Sequence, residues 1–217
     1  MQQSDSPATT LRMLRLGDRW LYNVAGTLTA PNGETLPLAG QIEVSIVTDR
    51  LLQRSDSMSI LFSQKFELTK PDGSKEAMPA PEWVFSFVQD AATRDLAICA
   101  DNMTADGSAR VAKVPQVFYP GQWSSTTSYS NTLHFENGDS VENTLAVFDQ
   151  EPVETELGSF LSWKSRISSN SAATGPIEGL DWWTPELGAP AKFSTVSKMP
   201  NRSEMRFVAT LRSSTVQ

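Results

Sequence analysis

Carboxylates are the side chains of this sequence best equipped for chemistry. Glu136, Asp139 and Glu142 flank one predicted hairpin, and Glu151, Glu154 and Glu156 flank the strand after it. Two carboxylates facing each other across a cleft can cleave a glycosidic bond, one as acid and the other as base or nucleophile. Spacing alone does not pair these six. Exposed acidic turns also keep strand edges from aggregating, and solvated hairpin charges are the simpler reading. Asp101-Asn102 followed by Asp106-Gly107 has some calcium-loop character. Its spacing departs from Asp-x-Asp-x-Asp-Gly, and no later Glu completes the set.

His134 and Cys99 are the sole histidine and the sole cysteine. One cysteine allows no internal disulfide and no cysteine-based zinc site. Cys99 closes the apolar run Leu96-Ala97-Ile98-Cys99, which predicts an inert core thiol, because a reactive one needs a basic partner. His134 sits within Leu133-His134-Phe135 on a predicted strand. No partners for a triad can be pointed to, so its expected role is structural. Gly-x-Gly-x-x-Gly, P-loop, His-Glu-x-x-His, Cys-x-x-Cys and Gly-x-Ser-x-Gly patterns are all missing. That excludes the commonest motif-bearing enzymes and leaves no catalytic residue, metal site or cofactor to name.

Tryptophan is the enriched residue: Trp20, Trp83, Trp123, Trp163, Trp182 and Trp183. An exposed indole binds sugar rings or apolar ligands, whereas a buried one fills a β core. Trp163 shares a predicted face with Leu161 and Ile167 and reads as core. Trp182 and Trp183 are adjacent, so on a strand they point to opposite faces and one ring is expected outside the core. They are the candidate ligand-binding residues. A mobile surface loop from about Ser169 to Gly179 is expected to border their groove.

The elements that would position these residues follow a period close to two. Ile42, Val44 and Ile46 alternate with Glu43 and Ser45, and Trp83, Phe85 and Phe87 alternate with Val84, Ser86 and Val88. Ile60, Phe62, Phe66 and Leu68 share a face, as do Leu145 with Val147, and Phe207 with Ala209 and Leu211. Repeated alternation predicts half-buried antiparallel strands. Asn32-Gly33, Asp72-Gly73 and Asn137-Gly138 supply the turns. No stretch holds a helical period. The expected fold is all-β, about ten to twelve strands in a curved half-barrel or sandwich, with helix below about 15%.

The length of 217 residues and a hydrophobic content of 39% suit one large β domain over residues 15–217. Residues 1–14 read as a polar, disordered tail, in which Met1-Gln2-Gln3-Ser4-Asp5-Ser6-Pro7 resembles a start placed on a trimmed chain. A genuine cytoplasmic start would look the same. Net charge is −7 and the pI about 4.8. Nucleic acid and anionic membrane surfaces are poor partners for such a chain, and no run is long enough to span a bilayer as a helix.

Two stretches echo each other about 100 residues apart. Gly17-Asp18-Arg19-Trp20, Asn32-Gly33, Ser63-Gln64-Lys65 and Glu82-Trp83 correspond to Gly121-Gln122-Trp123, Asn137-Gly138, Ser162-Trp163-Lys164 and Asp181-Trp182. The echo suggests duplicated halves, 15–105 and 118–215. Chance alignment of common turn motifs is the alternative.

The C-terminal third carries a second pattern. Glu151-Pro152-Val153, Gly158-Ser159-Phe160 and Lys164 precede Trp182-Trp183-Thr184-Pro185 and Gly188. This resembles exported bacterial β-rich proteins and lipoproteins of unknown function, over roughly residues 140–213. The resemblance implies a curved sheet or half-barrel, in some cases shaped like lipoprotein carriers. It also implies an extracytoplasmic setting and no known enzyme activity. It transfers no catalytic residue, and the lipobox cysteine of a lipoprotein is not in this sequence. The expected function is a non-catalytic envelope protein binding an apolar small molecule, a glycan or an envelope protein. The alternatives are a carboxylate-dependent carbohydrate hydrolase and a structural surface module.

Overall fold

The computed structural model describes residues 9–79, 81–104, 106–171, 175–199 and 201–217. Thirteen strands form one antiparallel sheet, and no helix occurs among the described residues. In chain order they are β1 (Arg19–Thr29), β2 (Thr35–Thr48), β3 (Met58–Thr69), β4 (Lys75–Met78), β5 (Trp83–Gln89), β6 (Leu96–Asp101) and β7 (Arg110–Tyr119). There follow β8 (Ser128–His134), β9 (Ser140–Thr155), β10 (Gly158–Ser171), β11 (Gly175–Thr184), β12 (Ala189–Lys198) and β13 (Glu204–Thr215).

Apart from β4 with β5 and β7 with β8, each strand pairs with its neighbour in sequence; β3 also pairs with β5, and β1 with β13 from Arg19↔Thr215 to Thr29↔Glu204. The result is an up-and-down barrel, nearly closed. β4 and β5 share one position, for both run antiparallel to β3, β4 beside Phe66–Thr69 and β5 beside Met58–Phe62. Between them stand Pro79 and Pro81, which have no N–H to give to the ladder.

The predicted alternation holds along these strands. Ile42, Ile46, Phe66, Phe87, Leu145, Phe207 and Leu211 all face one continuous interior core. Gly26 on β1 lies opposite Phe207 on β13. A Cβ at Gly26 would stand 2.1 Å from the Arg206 carbonyl oxygen and 2.6 Å from the Phe207 Cα. The closing ladder is therefore drawn tight where no side chain can fit.

One end of the barrel is plugged by the segment that leads into β1. Leu11 and Leu14 are buried there, beside Trp20 and Trp123. The Leu11 N–H donates to the Gly121 carbonyl at 2.8 Å, the Arg12 N–H to Pro185 at 3.1 Å, and the Leu14 N–H to the Gln89 side chain at 2.8 Å. Residues 9–14 are thus part of the barrel. Alternation could not reveal this, because the segment crosses the strand ends instead of joining the sheet. Residues 1–8 lie outside the described residues. Likewise, Ser169–Ser171 and Gly175–Gly179 belong to β10 and β11, where a mobile loop was expected; residues 172–174 of that stretch lie outside the described residues. Ser and Gly there are ladder residues, with Ile167↔Gly179 and Ser169↔Ile177 in register.

The barrel has one weak seam, between β7 and β8. Among the described residues, backbone bonding across it is limited to an isolated bridge at Ala112↔Phe135 and the bond from Glu136 N–H to the Val111 carbonyl. Side chains stitch the remainder. Asn131 Nδ2 donates to the Val117 carbonyl at 2.7 Å, and the Tyr129 hydroxyl donates to the Phe118 carbonyl. β7 is bulged against β6, where Ile98↔Gln116 is followed by Ala100↔Val111, and this carries Val114 into solvent. At the turn end the seam is locked by Arg110, 2% exposed, which pairs with buried Asp101 at 2.7 Å and covers the Phe135 ring at 4.2 Å.

Two outcomes follow from this packing. Gly26→Ala is expected to lower the stability measured by chemical denaturation by about 1–3 kcal/mol, the usual cost of overpacking. Arg110→Ala leaves Asp101 buried without its cation and is expected to cost about 3–5 kcal/mol. It should also speed hydrogen exchange at the Glu136 amide more than at amides of the β1–β13 ladder.

Candidate functional site

Beneath the seam lies a partly open pocket of about 40 Å³, lined by Phe118, Tyr119, Tyr129, Asn143, Ile167 and Ile177 among others. Its walls are mainly apolar. Ile177 stands near the start of β11, so the cavity lies toward the turn end, away from the plug. A water needs roughly 10–15 Å³ of such space, so the pocket as it stands has room for a few waters, and a larger guest has to widen it at the seam.

The polar part of this region is one step behind the wall. The Tyr119 hydroxyl donates to Asp181 at 3.3 Å. The Tyr119 ring also stacks on Trp183 at 4.3 Å, which stacks on Trp123 at 5.3 Å. Three parallel rings thus run from the cavity wall to the plug. Asp181 is 2% exposed and faces inward from the middle of β11, opposite Ser165. Ser165 is fully buried, and its Oγ meets no hydrogen-bond partner among the described residues.

Comparison with the other buried carboxylates sets Asp181 apart. Asp18 pairs with Arg12 and accepts from the N–H groups of Arg15 and Gln217. Asp101 is paired by Arg110. Asp49 accepts from Ser57, Ser86 and the N–H groups of Leu51 and Leu52. Asp181 has one phenol and, among the described residues, no cation in its ion-pair range. Burial accordingly pushes its carboxyl up to about 7, against the opposing pull of the Tyr119 hydrogen bond. Burial, with Asp181 second, raises the Tyr22, Tyr119 and Tyr129 phenols as well.

Trp182 and Trp183 do face opposite ways, but both are buried. Trp183 joins the interior core and Trp182 a small cluster outside the barrel with Val153, Ala191, Phe160 and Leu180. An arm covers it. The β9–β10 ladder runs out to Thr155↔Gly158, whereas β10 pairs with β11 only from Trp163 onward. The hairpin therefore leaves the wall at the bulge beside Lys164 and lies over the outer face. Its tip residue Glu156 accepts from Asn23 of β1 at 2.7 Å. Sequence alternation places an indole outside the core, but it does not reveal that a distant hairpin will cover the ring.

The residues that carry the exported-protein resemblance meet on this ring. Glu151 accepts from the Trp182 Nε1 and is bonded by Lys164 at 2.8 Å. Val153 and Phe160 pack beside the indole, while Lys164 and Lys192 lie over it at 5.2 and 4.5 Å. Lys164 first, then Trp182, holds the Glu151 carboxyl below its usual range, against partial desolvation. Pro185 and Leu187 give their carbonyls to Arg12 of the plug and Trp20 of β1, and a Cβ at Gly188 would meet Leu14 at 2.5 Å. The pattern encodes an arm and a plug seat.

The remaining sequence candidates lie apart from the cavity. Glu136, Glu142, Glu154 and Glu156 are exposed, and Asp139 stands 3.6 Å from Arg110. Asp106 caps its own turn through Ser108 and Thr104, and Asp101 is held by Arg110. Cys99 is buried and His134 exposed. Asp181, Tyr119 and Tyr129 are the residues that the sequence reading overlooked. The available signal was an Asp at an inward position of a strand, two residues before Trp183.

No protein family matches this chain, and no curated protein is recognisably similar. Some solved structures do resemble it. One is a candidate exported protein with a YMCC-like fold from Bacteroides fragilis, 11% identical, with a TM-score of 0.39 over 96% of this chain and 100% of that one. Another is a candidate lipoprotein from Parabacteroides distasonis, 11% identical, with a TM-score of 0.41 over 98% of this chain and 100% of that one. At these values the likeness gives no residue a role. No helix among the described residues is long and apolar enough to cross a membrane.

The raised Asp181 carboxyl has a definite consequence for stability. The folded state keeps this proton where the unfolded chain has lost it, so stability falls as pH rises from the ordinary carboxylate value of 3.8 to about 7. Asp181→Asn removes that slope. In urea titrations the variant should gain on the parent by about 3 kcal/mol between pH 5 and pH 8. An unchanged difference would mean that the carboxyl is not the group responsible.

Proposed function

We propose that this chain is a non-catalytic binding barrel of the cell envelope, taking a small and largely apolar ligand into the cavity beneath the β7–β8 seam. The observation that carries the reading is the position of that cavity. It lies behind the one strand pair held by side chains instead of a ladder, so a ligand can enter without unzipping the sheet. The envelope setting rests on the sequence resemblance. Trp183 serves the site at one remove, by stacking on Tyr119, and Trp182 anchors the arm. A glycan on an open aromatic face is less well supported, since both indoles are covered.

Duplication is proposed as the origin of the barrel. Each Asn-Gly hairpin opens a six-position meander, β1–β7 and β8–β13. An up-and-down sheet repeats at every hairpin, however, so strand order favours duplication only weakly.

Benzene, indole and 1-butanol are suitable probes, followed by amide shifts in NMR titrations. Shifts should cluster at Tyr129, Asn143, Ile167 and Ile177, with millimolar affinity, and vanish in Ile177→Trp, which fills the cavity. Shifts confined to the outer face, or none at saturating probe, would sink the binding-barrel reading.

A further inference from the structure

We infer that the barrel's ligand is an organic ammonium ion, its charged head directed at Asp181 and the rings of Tyr119 and Tyr129, its apolar tail running along Ile167 and Ile177. This rests on the binding-barrel reading and names the ligand class for the same cavity. Three observations lead to it. Asp181 is a buried carboxyl whose sole hydrogen bond among the described residues comes from Tyr119, a residue of the cavity wall. Ser165 faces it across the β10–β11 ladder with a fully buried hydroxyl that meets no partner among the described residues. The groups around this pair are aromatic: Tyr22 from β1, Tyr119 from β7, Tyr129 from β8 and Phe193 from β12, the last 5.2 Å from Tyr22.

A carboxylate walled by aromatic rings suits a cation and rejects an anion. One face of the Tyr119 ring is already stacked on Trp183, so the carboxylate supplies the main attraction for a desolvated ammonium. Neutral ligands could hydrogen-bond the carboxyl and the Ser165 hydroxyl but would leave an ionised Asp181 without a counter-charge. Anions would add a like charge beside Asp181. The groups facing Asp181 are phenols and a serine. Arg12, Arg110, Lys164 and Lys192 are each engaged elsewhere, with Asp18, Asp101, Glu151 and the Trp182 ring. The structure therefore leaves room for a cation to come from outside the chain.

The test compares hexylammonium, 1-hexanol and hexanoate by isothermal titration calorimetry on the whole chain at pH 5.5 and pH 8.5. Hexylammonium carries its charge at both values, so the ionisation that changes at the site is that of Asp181. At pH 8.5 it should bind at least about tenfold tighter than hexanol, with hexanoate weakest, and the preference should shrink toward pH 5.5. Asp181→Asn should bring ammonium and alcohol within about threefold of each other, since the charge pairing is gone. The pH comparison on the parent protein decides the matter even if that variant folds poorly. Hexanol binding as tightly as hexylammonium at pH 8.5 would overturn the ammonium assignment while leaving the binding barrel standing. Binding of none of the three would overturn both.

Discussion

The pairing of β1 with β13 is the constraint on which the rest of this structure depends. Eleven residues of the first strand are matched to the last, with one register shift at Leu21/Tyr22. Without that ladder the sheet would be an open, curved ribbon with an apolar face exposed to water. With it, the face becomes an interior, and the core from Trp20 to Leu211 can form. Asp18 reinforces the join from the plug side. It draws together Arg12, the Arg15 amide and the Gln217 amide. Plug, first strand and last strand are held by one carboxylate.

An interior made this way need not be uniform. Toward the plug it is filled with large rings, Trp20, Trp123 and Trp183, and toward the turns it loosens into the cavity beside Ile177. Closing the ladder at β1–β13 moves the remaining discontinuity to β7–β8, where side-chain bonds replace backbone ones. Asp181 sits between the two regimes. A buried carboxyl without a cation is costly to keep, and such groups are found more often at working sites than in purely structural cores.

Much of the architecture was legible in the sequence, because an antiparallel sheet writes its two faces as alternation. Ile42, Phe87, Leu145 and Phe207 announced their orientation correctly, and Asn32-Gly33 and Asn137-Gly138 mark true hairpins. What the sequence hid was whatever leaves the ladder. Leu11 and Leu14 have no strand period to betray them, and the arm that buries Trp182 depends on a bulge whose position no single residue signals. Asp181 was legible as an acid but not as an interior one. Its inward position follows from β11 register, and its isolation follows from partners on β1, β7 and β8 that are remote in the chain.

The order of pairing also sets the order in which the barrel can assemble. All ladders but β1–β13 and β3–β5 join strands adjacent in the chain, and β3–β5 skips only the short β4, so hairpins form locally and add to one another as the polypeptide lengthens. β1 is the exception, because its second partner lies nearly two hundred residues away. At a synthesis rate of about 5–20 residues per second, its outer edge waits roughly 10–40 s for β13 to appear. During that interval the growing chain carries a bare strand edge beside the close-packed surface around Gly26. Whatever shields that edge on the ribosome governs how much of the nascent chain reaches the closed barrel.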